Sequence, residues 1–585
     1  MSKLSIEQKY IKDLFGEKKA DFLIPDYQRP YAWGDKECQT LWDDIFTFAF
    51  PDNDCEKFSS DNDEYFLGPI VTFKNHQNEK KEIIDGQQRL TTLLLLLRAF
   101  YERYENGNMN TDRAIKTREA IAKCIWKTDE FGDANQDELK ITSEVATDED
   151  KDDFLKILKS GHADEKMKSR YAKNYRFFQR KVQEFLYNYP DFFSYLPIRI
   201  LNNCTLLPIE AGSQETALRI FSTLNDRGKP LSDADIFKAQ FYKFYTSINK
   251  KESFIESWKS LEKLCKSIFV QGLGQGTPLD EIFTRYMYYK RALQGLKTST
   301  TEALRKFYER DSYSILRDEN TLHDLMDLAK FWESVELQNK DRFSERVLKT
   351  LFILRYAPNG MWTYFVSVYY MANRGENGLL QEDDFYRFLN KTIGFVWAYA
   401  VINPGLNALR TPLFAEMINI VKKQPVTFAD FKMDVDIVRN GFMNFSFYNN
   451  RAITKSMLTW WAFHFEQQEL ISFDTILEIE HIYSKNRYEN EKTLLESKNL
   501  ESLGNKSLLE KRINIRASDY RFADKTKYYI GYERNNVKRE GTKVWELKHI
   551  VEKKDFTEHN IISRKNEIIE AFIQYLAMNG LLVLG

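Results

Sequence analysis

The sequence lacks the features of exported, membrane-spanning or disulfide-bonded proteins. Its five cysteines are odd in number, widely spaced and without a Cys-x-x-Cys pair, which argues against a disulfide framework and a cysteine-bound zinc. The longest aliphatic run, Leu93 to Leu97, is far shorter than the roughly 20 residues of a membrane span. The N-terminal stretch MSKLSIEQKYIKDLFGEKKADF is charged throughout and lacks the apolar core of a signal peptide. We therefore expect a cytoplasmic protein without a membrane partner.

Neither sign of charge dominates the chain. Its 85 Lys and Arg residues balance 86 Asp and Glu residues, giving a formal net charge of −1. This excludes a polycationic protein whose overall field defines its partner. The exception is the segment 505–554, which holds fourteen basic and seven acidic residues. The basic character is therefore concentrated near the C-terminal end.

Three regions differ in their hydrophobic pattern and define the predicted domains. Residues 1–245 mix short β-like runs such as YFLGPIVTF with helical stretches. Residues 246–455 repeat apolar side chains at three- and four-residue spacing, which is typical of packed helices. Residues 456–585 read as two strands followed by a helix, KRINIRASDYRFADKTKYY. We predict a multi-domain α+β protein, predominantly helical, with an α/β N-terminal domain and a helical middle.

The C-terminal region contains an ordered set of reactive side chains. In chain order they are Glu480, His481, Asn505, Asn514 and Lys525. A lone histidine is more often a hydrogen-bonded structural residue than a catalyst, so the Glu-His pair by itself is weak evidence. Phosphodiester hydrolysis, however, needs a base that works near neutral pH, which suits imidazole. It also uses a hard divalent cation, which carboxylate and amide oxygens can bind.

This order resembles the HNH (ββα-metal, His-Me finger) nucleases, and in detail the C-terminal nuclease domain of GmrSD-type restriction proteins. The matching segments are E-H-I at 480–482, LGNKSLL at 503–509, Asn514, and Phe522 with Lys525. The sequence departs from the family pattern at Tyr483-Ser484, where an apolar residue and a proline are common. It also departs at Lys506, where an apolar residue is common. Neither departure removes a reactive group.

The resemblance implies a role for each matching residue. His481 would be the general base, and Asn505 would position it by hydrogen bonding. Glu480 and Asn514 would bind Mg²⁺, Mn²⁺ or another divalent cation, and Lys525 would contact the phosphate. The C-terminal domain would have the ββα-metal fold.

Three N-terminal motifs each join an apolar run to polar residues. They are IPDYQRPYAW at 24–33, IIDGQQRLTTLLLLL at 83–97 and FSTLNDRGKPLSDADIFKAQ at 221–240. In the second motif the strand breaks at Asp85-Gly86, so the following helix begins with Gln-Gln-Arg, where backbone N–H groups favour an anion. Each motif also places an arginine at a turn or element end, where a guanidinium can bind phosphate oxygens.

These motifs resemble the N-terminal domain of GmrSD-type proteins, a ParB/sulfiredoxin-like fold with a nucleotide and phosphate pocket. The resemblance implies NTP binding and hydrolysis coupled to DNA cleavage, in defence against phage whose DNA is chemically modified. No Walker A motif occurs, which excludes a P-loop as the source of NTP turnover. The pocket residues carried over are Gln28, Arg29, Asp85, Gly86, Gln87, Gln88, Arg89, Asn225 and Arg227.

The sequence leaves several alternatives open. The nuclease could act on unmodified or phosphorothioate-marked DNA, or on RNA, because the motifs do not decide the sugar. The chain could also be a non-catalytic NTP switch that binds nucleic acid through its basic region. The identity of the NTP (GTP, ATP or another), the choice between nicking and double-strand cleavage, and assembly into a homo-oligomer are also left open.

Overall fold

The computed structural model describes residues 5–17, 21–51, 63–74, 80–107, 109, 111–213, 216–217, 220, 232–269, 276–297, 302–405, 408–518, 521–534 and 536–583. Asn225 and Arg227 of the third motif lie outside these residues. The chain divides into two compact units, Met1–Lys259 and Ser260–Gly585. The division into three domains stays a prediction.

The first unit combines a mixed β-sheet with helices. Its strands are β1 (Ser5–Ile6), β2 (Lys9–Tyr10), β3 (Phe22–Ile24), β4 (Tyr65–Lys74), β5 (Lys81–Asp85), β6 (Trp126–Thr128), β7 (Ala134–Leu139), β8 (Ile141–Ser143) and β9 (Cys204–Ala211). Its helices are α1 (Ile11–Gly16), α2 (Asp35–Ala49), α3 (Gln87–Asn106), α4 (Asp112–Ile125), α5 (Lys151–Ser160), α6 (Arg170–Asn188), α7 (Tyr195–Asn203) and α8 (Asp233–Ser247). Helix α9 (Lys251–Ile268) begins in this unit and ends in the second.

The sheet brings two of the polar motifs to one edge. Its strand order is β1-β9-β4-β5-β3-β8, and β2 also pairs with β9. Strand β3 is parallel to both β5 and β8, whereas β4 is antiparallel to β5. Because parallel neighbours end at the same edge of a sheet, the loop after β3 lies beside the turn after β5.

Helix α3 begins at that edge because Gly86 has a φ of 92°, a conformation that glycine adopts without steric cost. A Cβ at this position would lie 2.5 Å from Ile70 Cγ2, so the packing also requires glycine. Leu93 to Leu97 are at most 1% exposed, since α3 packs against α4 and α6. The strand, turn and helix predicted for IIDGQQRL are therefore confirmed.

The second unit begins with a helical region. Its helices are α10 (Pro278–Leu293), α11 (Leu304–Tyr308), α12 (Glu319–Glu336), α13 (Glu345–Arg355), α14 (Met361–Asn373), α15 (Glu382–Ile402), α16 (Arg410–Val421), α17 (Val435–Asn444) and α18 (Ala452–Ala462). Trp332, Tyr370 and Trp397 are buried in this region, as the helical spacing of its aromatic residues predicts. The predicted helical array is confirmed, although the predicted boundary after residue 455 falls inside α18.

The C-terminal part contains two β-hairpins and short helices. In chain order its elements are β10 (Leu477–His481), α19 (Lys485–Glu491), β11 (Lys506–Glu510), α20 (Lys511–Ala517), α21 (Phe522–Ile530), β12 (Gly531–Arg534), β13 (Val537–Glu540), α22 (Trp545–Ile550) and α23 (Glu558–Met578). The single helix predicted over KRINIRASDYRFADKTKYY is wrong, because Ser518 adopts a φ of 49° and ends α20.

Hydrogen bonds connect the hairpin β10–β11 to the helical region of the same unit. Lys455 of α18 donates a hydrogen bond to the Leu477 carbonyl (2.5 Å). Lys506 Nζ donates to the Phe447 carbonyl (2.5 Å). The chain is thus α+β and predominantly helical, as predicted. Within the described ranges, no helix combines the length and the apolar character that a membrane span requires.

Candidate active site

The hairpin β10–β11 and helix α20 form a ββα unit around His481. In the antiparallel register, His481 faces Lys506 and Glu480 faces Ser507. A short 3₁₀ turn, Leu503–Asn505, leads into β11. Because successive side chains leave a strand on opposite faces, Glu480 and His481 have different neighbours.

His481 lies in a buried group of charged side chains. The residue is 9% exposed, and its Nε2 lies 3.4 Å from Glu501 Oε1. Glu501 also pairs with Lys506 Nζ (2.6 Å) and with the half-exposed Lys485 (3.4 Å). The approach of Glu501 is close but poorly aligned, so Nε2 has no hydrogen-bond partner among the described atoms.

This environment keeps the imidazole neutral. The pKa of His481 is lowered to about 4, chiefly by burial; the charge of Glu501 opposes this shift, and the charges of Lys506 and Lys485 contribute to it. Burial acts to raise the pKa of Glu501, but the ammonium of Lys506 outweighs it and lowers that pKa to about 2. At neutral pH the site therefore holds a neutral imidazole beside a charged carboxylate. Such an imidazole can accept a proton.

We expect His481 to make the folded protein sensitive to acid. Its pKa is about 4 in the folded protein, whereas an unfolded chain shows about 6.5. At a pH between these two pKa values, the unfolded chain binds the proton more readily than the folded protein does. The contribution of His481 to the free energy of unfolding is therefore fully present above about pH 6.5. It is lost as the pH falls towards about 4, the pKa in the folded protein, a loss of about 3 kcal/mol.

Melting temperatures between about pH 7.5 and 4.5 test this expectation. The wild-type protein should lose stability on acidification more steeply than His481→Gln. His559→Gln, which changes an exposed histidine of α23, should follow the wild type. Equal slopes for wild type and His481→Gln would contradict the prediction.

Glu480 is engaged by the helix that follows α20. Its Oε1 accepts hydrogen bonds from Lys525 Nζ (2.8 Å) and Tyr529 Oη (2.6 Å). Lys525 also donates to the His481 carbonyl (2.7 Å). Glu480 is 4% and Lys525 is 1% exposed. The buried ammonium of Lys525 therefore holds the strand of His481, and its contact with a phosphate stays a prediction.

Asn505 supports the chain around His481 through main-chain contacts. Its side chain accepts from Tyr483 N (2.7 Å) and donates to the carbonyls of Tyr483 (3.0 Å) and Leu500 (2.9 Å). Its own carbonyl accepts from Ile482 N (2.9 Å). Asn505 therefore supports the backbone after His481, and its hydrogen bond to the imidazole stays a prediction.

Asn514 lies beside a different glutamate from the one predicted. Its Nδ2 donates to Glu478 Oε2 (3.0 Å), while Glu480 binds Lys525 and Tyr529. The structure does not bring Glu480 and Asn514 together, and their shared cation stays a prediction. Both Glu478 and Asn514 are partly exposed, and carboxylate and amide oxygens are donors that Mg²⁺ and Mn²⁺ accept. The pair that fits a divalent cation is therefore Glu478 and Asn514.

The structure does not join this pair and His481 in one cluster. Glu478 lies on the face of β10 opposite His481, by strand alternation. Among the described residues, no group of three or more His, Cys, Asp or Glu side chains could hold a metal ion. Any cation at Glu478 and Asn514 would need water and phosphate oxygens to complete its coordination.

Helix α23 holds the turn before β11. Arg564 donates through Nη1 to the carbonyls of Leu503 (3.3 Å), Gly504 (3.1 Å) and Lys506 (2.7 Å). Its Nε and Nη2 bind the two carboxylate oxygens of Glu546 (2.6 and 2.7 Å). A Cβ at Gly504 would lie 1.9 Å from a backbone oxygen of α23, so only glycine fits. These contacts fix the turn that supports His481.

In the first unit, the three predicted pocket glutamines bond to the main chain. Gln28 donates to the Ile83 and Ile84 carbonyls (3.2 and 3.0 Å). Gln87 donates to the Arg29 carbonyl (3.1 Å), and Gln88 accepts from Ala32 N (2.6 Å). All three glutamines are buried. They fix the loop after β3 to the turn after β5, and their contact with a nucleotide stays a prediction.

Charged side chains from three elements meet at this edge of the sheet. We call Arg29, Asp85, Arg89 and Asp235 the charged cluster. Burial raises the pKa of Asp85, although the Gly86 N–H and the charges of Arg89 and Arg29 oppose it. Burial also raises the pKa of Asp235 against the charge of Arg29. Arg29 therefore acts on both carboxylates.

A hydrogen bond and the packing of a glycine fix the position of the Arg89 side chain in the charged cluster. Its Nη1 donates to the Pro69 carbonyl (2.8 Å). Gly68 has a φ of 117°, and a Cβ there would lie 3.0 Å from the Arg89 guanidinium. The glycine thus leaves room for the side chain. Asn225 and Arg227, the other predicted pocket residues, lie outside the described part of the chain, and the structure does not describe their relation to the cluster.

Sequence reasoning missed Glu501 and Asp235. Glu501 lies two residues before the LGN motif, so its position in the chain was a usable signal. Asp235 forms a capping box with Ser232, accepting from Ser232 N (3.1 Å). Because this local role already accounts for Asp235, the sequence does not indicate that Asp235 lies near Arg29. Arg564 gave no local signal, since it lies 60 residues from Gly504.

Comparisons with known families match two regions of the chain. The family model described as GmrSD restriction endonuclease, N-terminal domain, matches residues 11–242. The model described as GmrSD restriction endonucleases, C-terminal domain, matches residues 432–571. Both describe parts of restriction endonucleases, the class that includes this protein. The chain belongs to the GmrSD family. None of the curated proteins compared with it matches.

Proposed function

We propose that the protein is an NTP-regulated DNA endonuclease or nickase that hydrolyses phosphodiester bonds of foreign, chemically modified phage DNA in the cytoplasm. The observation that supports this most directly is the neutral imidazole of His481 beside Glu501. An uncharged imidazole has a nitrogen lone pair that can accept a proton from water. The match of both domains to GmrSD restriction endonucleases supports DNA as the substrate.

The proposed chemistry uses residues around His481. Its imidazole removes a proton from water, the water oxygen attacks phosphorus, and the bond to the leaving ester oxygen breaks while that oxygen takes up a proton from solvent. Glu501, 3.4 Å from Nε2, stabilises the imidazolium that forms. Lys485, half-exposed and 3.4 Å from Glu501, is the cation available to a phosphate. Lys506 is fully buried and maintains the charge of Glu501.

We also propose that Mg²⁺ or Mn²⁺ binds Glu478 and Asn514. When bound, such a cation would stabilise negative charge on phosphate oxygens of the DNA. Glu478→Gln should weaken Mn²⁺ binding at least about tenfold, because removing an anionic ligand lowers affinity for a hard cation. Electron paramagnetic resonance of free Mn²⁺ measures this without requiring cleavage. Glu489→Gln, an exposed substitution on α19, is the control; equal affinities in both variants would contradict the assignment.

The charged cluster supports the proposed nucleotide site. Guanidinium groups bind phosphate oxygens, and a carboxylate can bind the cation of a metal–nucleotide complex. Asp85→Asn should weaken binding of a fluorescent GTP or ATP analogue at least about tenfold. The fold should persist, because burial already disfavours the charge of Asp85. Asp152→Asn, an exposed change on α5, is the control, and unaltered affinity in Asp85→Asn would count against the site.

A cleavage assay tests the function as a whole. Glucosylated phage DNA, plain DNA and phosphorothioate DNA are incubated with the protein, with and without each NTP, in Mg²⁺ or chelator. We expect NTP-dependent cleavage of modified DNA that stops in chelator. Cleavage of plain or phosphorothioate DNA would instead support the alternative specificities. Absence of cleavage under every combination would contradict the nuclease and favour a non-catalytic switch.

A further inference from the structure

The hairpin β12–β13 separates charge between its two faces. Residues directly opposite in its register lie on the same face, and side chains alternate along each strand. One face, called here the basic face, carries Tyr532, Arg534, Val537 and Arg539. The other, called the mixed face, carries Gly531, Glu533, Lys538 and Glu540. The basic face therefore has two arginines and no carboxylate.

The charged ends of these side chains are available to a partner. Arg534, Lys538 and Arg539 are exposed. Within the described residues, none of the three forms an ion pair with a carboxylate. Val537, at the turn, is 50% exposed although it is apolar. Val537 thus lies on the same face as Arg534 and Arg539.

The base of this hairpin is fixed to the candidate active site. Tyr529, which bonds to Glu480, accepts a hydrogen bond from Thr542 N at its carbonyl (2.9 Å). Glu510, the last residue of β11, accepts from Thr542 Oγ1 and Lys543 N (both 2.6 Å). The position of the hairpin is therefore set by both β10 and β11.

Two glycines allow the base of the hairpin β12–β13 to pack closely against the end of α21. Gly531 has a φ of 91°, and a Cβ there would lie 2.7 Å from the Arg539 carbonyl oxygen. A Cβ at Gly541 would lie 2.4 Å from the Tyr529 carbonyl oxygen. Backbone thus packs against backbone where the hairpin leaves α21. Contacts of this kind hold an element in a fixed direction.

We propose that the basic face of β12–β13 enters the major groove of double-stranded DNA and presents the duplex to His481. This inference rests on the proposed nuclease function and names its substrate-binding element. A two-stranded ribbon fits the major groove, which is about 12 Å wide. Arginine binds phosphates or guanine edges there, and an apolar side chain can contact a thymine methyl group. The major groove of A-form RNA is too narrow and deep for side chains to read.

Two single substitutions on one strand provide a matched test. Arg539→Ala and Lys538→Ala each remove one positive charge from β13, but from opposite faces. Binding of the full-length chain to a labelled DNA duplex is measured by fluorescence anisotropy in chelator, over a range of salt concentrations. Arg539→Ala should weaken binding about 5- to 50-fold and reduce the salt dependence by about one counterion. Lys538→Ala should change the affinity less than about twofold.

The outcomes separate this inference from the proposed function. Equal losses in both variants, or none in either, would overturn the role of the basic face, even if the wild-type protein cuts DNA. The same dependence on Arg539 with an RNA duplex would overturn the major-groove assignment. Arg539-dependent DNA binding without cleavage under any metal and NTP would support the binding face and refute the nuclease. Unchanged melting temperatures in both variants show that the hairpin remains folded.

Discussion

DNA cleavage by His481→Ala is expected to fall by about 10²- to 10⁴-fold, because the substitution removes the base that deprotonates water. The imidazole is buried beside Glu501 and uncharged at neutral pH, and the carboxylate of Glu501, whose pKa is lowered to about 2, is a weaker base. Initial rates of cleavage on a supercoiled plasmid carrying modified bases measure the loss. Free imidazole in the buffer should restore part of the rate, since the cavity left by the ring can admit it.

The control for this variant is His559→Ala. His559 is exposed on α23, in the same unit, and should retain wild-type activity. Circular dichroism and melting temperature distinguish a lost base from a lost fold. Undiminished cleavage by a folded His481→Ala protein would exclude His481 as the base, and with it the proposed mechanism.

The free energy of unfolding of Arg564→Met is expected to fall by about 3 to 5 kcal/mol, the range for breaking a buried ion pair by removing one partner. Glu546 would keep a buried carboxylate whose remaining side-chain donor is Trp461 Nε1 (2.7 Å). The carbonyls of Leu503, Gly504 and Lys506 would also lose the donor they share. Urea unfolding of the full chain measures the change.

Two comparisons make this prediction specific. Arg439→Met removes an arginine that pairs with Glu570 of the same helix, α23, but at a more exposed position. Its effect should be much smaller. Replacing Arg564 and Glu546 together with apolar residues should destabilise less than Arg564→Met, because no unpaired charge stays buried. If Arg564→Met and Arg439→Met lower the free energy of unfolding equally, the hydrogen bonds from Arg564 to the turn do not stabilise the protein.

Local patterns predicted the elements that carry the two sites. The apolar run LEIEH forms β10. In DGQQRL, the glycine ends one strand and opens a helix, as its position between the two hydrophobic patterns predicts. Such features depend on residues within one turn or strand of each other, which a sequence displays directly.

The partners of individual side chains were less predictable. Glu478 and Glu480 lie on the same face of β10, so either could have met Asn514. The break at Ser518 decides between them, because it lets α21 turn and place Lys525 and Tyr529 on Glu480. The pattern predicted one continuous helix there. The pairing therefore depends on a single backbone conformation that hydrophobic periodicity does not reveal.

Long-range contacts were inaccessible for a different reason. Arg564 meets the Leu503–Asn505 turn across about sixty residues, and its own surroundings are those of an ordinary amphipathic helix. Asp235 appears in the sequence as a helix cap, a role it also performs. A residue with a sufficient local explanation gives no indication of a second contact. Tertiary structure was needed to find both.

The packing of α23 against Gly504 has a consequence for synthesis on the ribosome. The Leu503–Asn505 turn leaves the exit tunnel well before Arg564 has been translated, because Arg564 follows Gly504 by 60 residues. Until then the carbonyls of the turn lack their donor and Gly504 lacks the backbone on which it rests. A nascent chain therefore assembles the surroundings of His481 only after α23 emerges. Prematurely terminated products would carry the reactive residues without the support that aligns them.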